Sequence, residues 1–341
     1  NGNTYFRKKN VSEISFVAES IQLAVGKTYV FESSQTFVFG NVIANGACEG
    51  TIDITGSRAD AAIFKAKAGV TNITVNSVNI LNVNADPVDT FVAKASINLG
   101  GADGWKFEDE PAGTNLYWVD GTGNWDDPNH WSTVSGIKSG GCVPTAKDNV
   151  FFDDGSFTDT EQTVYTGASD IRCRTMDWTG SEAARPNFEM GATDISGVYI
   201  YGSLIFNSAV DINLSAVVNF YFRATELQEI NTFGYVFPNI VEFDGNGGEW
   251  KLRDDMLMEG DCFIRYGKLI TNGFDLECKS ITSTDPTEGV NSRGLDIQNS
   301  SVTITGKEDV LGRSIYFNLA DAYLDLGFEF LSANSTITFY R

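Results

Sequence analysis

Apolar and polar residues alternate one for one along most of the chain, in short runs that stop at Gly, Asn, Asp or Ser. Ile14 to Val17, Thr28 to Phe31, Thr36 to Phe39 and Thr51 to Ile54 all read this way, which is the pattern of a strand with one buried face. Gly40, Gly46, Gly50 and Gly56 punctuate them. Helical periodicity is nearly absent. The Ala-rich run Ser57 to Ala68 is the clearest exception, and it too can be strand and turn. From Cys173 onward, apolar centres recur near Ile200, Phe220, Val241, Phe263, Ile281 and Val302, about twenty residues apart.

A repeat of roughly 20 to 25 residues, each supplying short strands and turns, predicts an all-β, elongated parallel β-helix or β-solenoid. A single coil cannot bury its own inner face, so stacking is obligatory. Antiparallel β-sandwich modules are the alternative, since their strands also recur at short intervals. Asn-Gly dipeptides such as those at Asn45 and Asn272 introduce no obvious pair of hairpin strands, which favours the solenoid. Asn72, Asn76, Asn79, Asn82 and Asn84 fall among β-branched residues in Val70 to Asn84, either as an Asn ladder between stacked strands or as surface turn residues.

The organisation that follows has residues 1–107 as the back half of one solenoid repeat unit and 108–116 as a linker carrying Pro111 and Gly113. Residues 117–341 are then the following unit, opened by a Trp-rich turn segment. Ser335 to Phe339 resembles Glu13 to Phe16, so the chain is expected to end near the point of a larger repeat at which it began. It starts with Asn and reads as a processed or excised piece.

The Trp-rich segment, Tyr117 to Trp131, holds three of the six tryptophans and the single histidine. Gly121 and Gly123 permit positive φ, and Asp127-Pro128 starts a turn, so Trp118, Trp125 and Trp131 are expected to converge as structural anchors. His130 lies inside that knot and reads as a packed residue; no Ser-His-Asp or Cys-His set forms elsewhere with one histidine. Asp120, Asn124, Asp126 and Asp127 surround the same turns, and their oxygens suit one Ca²⁺. Asx turns account for them equally well. No other cofactor is implied.

Charge narrows the partners. With 45 acids against 24 bases, a net −21, the chain lacks the basic runs that phosphate binding needs, Arg7 to Lys9 being the sole cluster, so nucleic acid is excluded as a partner. No apolar stretch approaches the ~20 residues of a membrane helix, which excludes insertion of that kind. The five cysteines contain no CxxC, and disulfides in an oxidising compartment are expected. The pairs nearest in sequence are Cys142 with Cys173 and Cys262 with Cys278, leaving Cys48 over. Buried free thiols are the alternative.

Tyr117 to Trp131, followed by Val143-Pro144-Thr145, Asp148 to Asp153 and Met176 to Gly180, resembles the repeating unit of very large surface proteins of gliding and biofilm-forming Bacteroidota. Gly247 to Leu252, Gly267 to Cys278 and Gly104 to Phe107 are similar to later parts of that unit. The resemblance implies a secreted, cell-surface adhesin similar to the SprB type of gliding motility, exported by type IX secretion. Its partners would be neighbouring repeats and surface polysaccharide, and it would not be an enzyme. The alternatives are a carbohydrate-binding module, Ca²⁺-dependent or not, and a β-helix polysaccharide lyase or hydrolase using acids such as Asp126 with Asp127, Asp153 with Asp154 or Asp254 with Asp255. Three or more convergent carboxylates with a base on one face would favour the enzyme.

Overall fold

Alternating side chains on a strand put every second residue inside, and here the inside positions of successive coils fall in register. Phe220, Val241, Cys262 and Ile281 stand in one row, each fully buried and paired strand to strand. The step is 21 residues from Phe220 to Val241 and again to Cys262. A computed structural model describes residues 4–7, 16–57, 61–191, 195, 197–283, 293–306, 317–318, 328–331, 334 and 336–339. Glu13, Ile14, Ser335, Lys8 and Lys9 lie outside them.

The fold is an all-β solenoid of parallel stacked sheets, 50% strand and about 1% helix over about 13 turns. Among the described residues one pair of strands is antiparallel, Asn115–Trp118 with Trp131–Ser132, which rules out the sandwich. The chain divides into two compact units, 1–113 and 114–341. The division falls within residues 108–116, between the strands Lys106–Glu108 and Asn115–Trp118.

The first unit has three columns of parallel strands. One stacks Thr4–Phe6, Thr28–Phe31, Ile52–Gly56, Val78–Leu81 and Ile97–Asn98; another stacks Phe16–Leu23, Thr36–Ala44, Ala62–Ala66 and Val83–Asp86; the third holds Ile73–Asn76, Phe91–Lys94 and Lys106–Glu108. The Ala-rich run is therefore strand in its middle. Phe31, Phe37, Phe39, Phe64, Phe91 and Trp105 form an aromatic spine, with Phe31 and Phe64 rings 4.7 Å apart and Phe91 and Trp105 5.1 Å apart. The asparagines of Val70 to Asn84 do not stack on one another, because they belong to neighbouring stretches of the chain. Asn79 instead donates to Asp53 and Thr51 on the previous coil, and Asn76 to Asn45.

In the second unit two columns begin apart, one through Ile171–Cys173, Gly197–Ile200 and Asn219–Phe222, the other through Met176–Asp177, Leu204–Ile205 and Leu227–Asn231. The long strands Val241–Leu252 and Asp261–Ile270 run through both, joining them into one 15-stranded sheet. Val302 departs from the expected series. It faces inward in a different column, above Leu276, whereas Ile281 pairs with Phe317, 36 residues on. Phe263 lies one residue off the inward row, beside Cys262. No helix among the described residues is long and apolar enough to cross a membrane.

The expected disulfides Cys142–Cys173 and Cys262–Cys278 do not form. Cys173, Cys262 and Cys278 are free and buried, while Cys142 and the supposedly unpaired Cys48 are disulfide-bonded. In a solenoid, nearness in sequence is a poor guide to contact. The close neighbours of an inward residue are one coil away in its own row, and for Cys173 that is Ile200, for Cys262 Val241 and Ile281, for Cys278 Ile304. These cysteines act as small hydrophobes. Burial pushes the Cys262 thiol up to about 12, with Asp261 adding. Native protein treated with a thiol-labelling disulfide reagent at neutral pH should leave Cys173, Cys262 and Cys278 unmodified, and all three should react once denaturant is added.

Candidate functional site

The Trp-rich segment folds back on itself because its turn residues force it to. Asp127 caps a single 3₁₀ turn, Pro128–His130, by accepting the backbone N–H of Asn129 at 2.9 Å, with Pro128 in the first helical position. Gly121 has φ of 70°. Its carbonyl accepts the Trp118 indole N–H at 2.6 Å, and the Trp125 carbonyl accepts that of Trp131 at 2.7 Å. Trp118, Trp125 and Trp131 are all fully buried, the first and second meeting Trp131 edge-on at 5.2 and 4.8 Å. The knot continues into the next coil through Phe152, whose ring stacks on Trp178 at 3.6 Å.

His130 is held on three sides. Its ring stacks on Trp118 at 4.7 Å, its Nδ1 lies 2.9 Å from the Val119 carbonyl, and a Cβ at Gly123 would overlap it. It is a packing residue. The returning chain then pairs Trp131–Ser132 antiparallel onto Asn115–Trp118, whose other edge pairs parallel with Asn149–Phe151. That reversed strand seals the first edge of the parallel sheet, which would otherwise present unpaired backbone groups.

Three of the four proposed calcium residues have structural partners. Asp120 meets Lys138 Nζ at 2.8 Å, Asp126 accepts the Ala168 N–H at 2.7 Å, Asp127 holds its cap, and Asn124 is exposed on a strand paired with Tyr165. Among the described residues no group of three or more His, Cys, Asp or Glu assembles around a common point. Members of the three acidic pairs also serve as fasteners. Asp153 caps its own turn through Gly155 and Ser156. Asp254 accepts from the Thr232 backbone and hydroxyl one coil back, while Asp255 accepts the Asp275 N–H and Asp275 in turn accepts that of Ser301.

A face that sequence reasoning missed lies on the outside of the second unit. Arg172, Tyr199, Tyr221, Glu242 and Phe263 stand in register on five successive coils. The Tyr199 and Tyr221 rings stack at 4.6 Å with planes 9° apart. The guanidinium groups of Arg172 and Arg223 sit 4.8 and 4.9 Å from the Tyr199 ring centre. Arg172 faces Asp170 at 3.8 Å, Arg223 faces Asp244 at 3.5 Å, and Arg265 Nε donates to Glu242 at 2.7 Å. Tyr199 points outward yet is only 9% exposed, because its neighbours in the stack cover it. The signal was present in the sequence as a large residue between two apolar ones, in Ile-Arg-Cys, Val-Tyr-Ile, Phe-Tyr-Phe, Val-Glu-Phe and Cys-Phe-Ile. Reading it requires the coil lengths.

This face carries three carboxylates and three guanidiniums, the composition set out above for an enzyme. Each carboxylate, however, faces a guanidinium rather than another acid, so the face ties coils together by ion pairing and cation–π stacking. The Arg223 Nε and the Asn219 Oδ1, which flank Tyr221, have no hydrogen-bond partner. No family model matches this chain, and no curated protein or solved structure matches it.

Burial holds the Tyr199 hydroxyl well above its usual 10.0, with Asp170 adding, and that of Tyr221 above it too, with Glu242 adding. Below pH 10 both folded and unfolded chains keep these protons. Above it the unfolded chain releases them first, so stability should hold through neutral pH and fall as alkali is added. Melting curves taken from neutral pH to a pH of about 11 should show that fall, shallower in Tyr199→Phe. Trp125→Ala should cost ~3 to 5 kcal/mol in denaturant melts.

Proposed function

We propose that the chain is a non-catalytic structural and adhesive segment of a long extracellular repeat protein of the gliding-adhesin kind. The observation that carries this reading is the use made of its acidic side chains. Asp153, Asp254, Asp255 and Asp275 hold turns and neighbouring coils together through backbone N–H groups. Asp170, Glu242 and Asp244 meet guanidiniums. An acid–base catalyst needs a carboxyl whose partner is the substrate, and these have structural partners instead. The bonded state of Cys48 and Cys142 fits an oxidising compartment. Stacked parallel coils resist extension along their axis, which suits a segment that transmits load between a cell and the surface it holds.

A saccharide-binding role is the second reading, favoured by the polar and aromatic side chains that the Arg172 to Glu242 face sets in register. Incubation with a panel of neutral and acidic polysaccharides separates these readings from an enzyme. The adhesive reading expects no new reducing ends and no unsaturated products, and turnover abolished by Glu242→Gln would overturn it. Bound calcium is tested by melting with and without chelator. A melting temperature lowered by chelator would establish a stabilising ion, and an unchanged one would count against it.

A further inference from the structure

Three Asn-Gly dipeptides fall among the described residues, at Asn45, Asn246 and Asn272. An asparagine in this setting can react with its own backbone, because glycine has no side chain to shield the peptide nitrogen from the amide carbon before it. The dipeptide is the same in each case, so the surroundings decide which one reacts. At Asn45 both reacting groups are tied: its Oδ1 accepts the Asn76 Nδ2 at 2.8 Å, and the Gly46 N–H donates to the Asn76 carbonyl at 2.9 Å. A Cβ at Gly46 would overlap the Ser77 carbonyl, so the backbone there has no room to move. At Asn272 one group is tied, its Nδ2 donating to the Leu252 carbonyl at 3.2 Å, while Gly273 is exposed and its N–H meets no acceptor among the described residues. Asn246 and Gly247 are the least held. Both are exposed, inside the strand Val241–Leu252 at the place where its pairing lapses. Asp244 and Glu249 face Tyr266 and Lys268 on the following coil, and the residues between them have no register partner on either neighbouring coil. A Cβ at Gly247 would meet nothing nearer than the Thr225 carbonyl, at 3.6 Å.

We propose that Asn246 is a site of spontaneous modification, converting to isoaspartate and aspartate while the chain stays folded. The peptide nitrogen of Gly247 attacks Cγ of Asn246. A C–N bond forms, the bond from Cγ to Nδ2 breaks, and ammonia leaves with the proton that the peptide nitrogen gave up. The succinimide so formed takes up one water, which reopens the ring at either carbonyl and returns a proton to the nitrogen. Nothing is oxidised or reduced, and solvent water is the sole co-reactant. Isoaspartate carries an extra backbone carbon, and here that carbon falls where no neighbouring coil has to match it. The new carboxylate lies between Asp244, which faces Arg223, and Glu249, which is in register with Lys268, so this outer surface grows more acidic as the molecule ages. The inference stands on the local pairing and not on the adhesive reading, so either can fail alone.

The test holds the purified chain in neutral to mildly alkaline buffer for weeks, digests samples under mildly acidic conditions, and maps them by mass spectrometry with fragmentation that separates isoaspartate from aspartate. Asn246 should convert first, Asn272 several-fold more slowly, and Asn45 should stay intact. Conversion of Asn246 should quicken as the pH rises, because attack needs the deprotonated peptide nitrogen. In denaturant the three dipeptides should react at closely similar rates, since the fold alone sets them apart, and Asn45 should gain the most. An Asn246 that survives in the folded chain, an Asn45 that converts as fast, or an order of reaction that persists in denaturant would each overturn the proposal.

Discussion

Everything in this molecule depends on one constraint, the spacing of about 4.8 Å at which parallel coils must stack for their backbones to hydrogen-bond. At that spacing a side chain lies directly over its counterpart one coil away, and the inside becomes a set of rows rather than a packed globule. Each row must be filled with residues that tolerate their own kind as neighbours. Phe220, Val241, Cys262 and Ile281 do so by being apolar, and the Phe31 to Trp105 spine does so by alternating edge-on and tilted rings. A coil alone buries little, so stability belongs to the contacts between coils.

Stacking creates ends as surely as it creates a core. At the start of the second unit the chain reverses through Asp127, Pro128 and His130 and lays Trp131–Ser132 along the exposed edge. The tryptophans follow from that geometry. The reversal turns large rings inward, and they reach into the following coils, as Trp125 does toward Phe152 and Phe188.

The alternation of Thr28–Phe31 and the recurrence of Phe220, Val241 and Ile281 made the fold class legible, since these follow directly from inward rows. The role of the Trp-rich segment was legible for a similar reason, because turn residues and large apolar rings have few ways to coexist. Disulfides were not. The pairings expected for Cys173, Cys262 and Cys278 assumed that sequence separation measures distance, whereas in a solenoid distance is set by coil length and row. The outer face from Arg172 to Glu242 escaped for the same cause, as its members are 27, 22 and 21 residues apart. Such unequal steps form a row only once each coil has been closed. Turn carboxylates such as Asp126 and Asp254 carried two chemically equal readings, a cation or a backbone N–H, and composition does not separate them.

The same spacing explains how so acidic a chain can stack at all. Carboxylates repeated in one row would sit within a few ångströms of each other and repel. Strand rows instead set opposite charges in register: Lys65 faces Asp86, Lys94 faces Glu108, Glu229 faces Lys251 and Glu249 faces Lys268. With 24 bases for 45 acids, that device runs out. Many of the remaining acids stand at turns, where they accept hydrogen bonds from backbone N–H groups, as at Asp127, Asp153, Asp254 and Asp275. Exposed pairs of this kind add little stability each. Their effect is on register, because a slip of one coil's strand by a single residue would turn its inward row out and break the charge match in the same step.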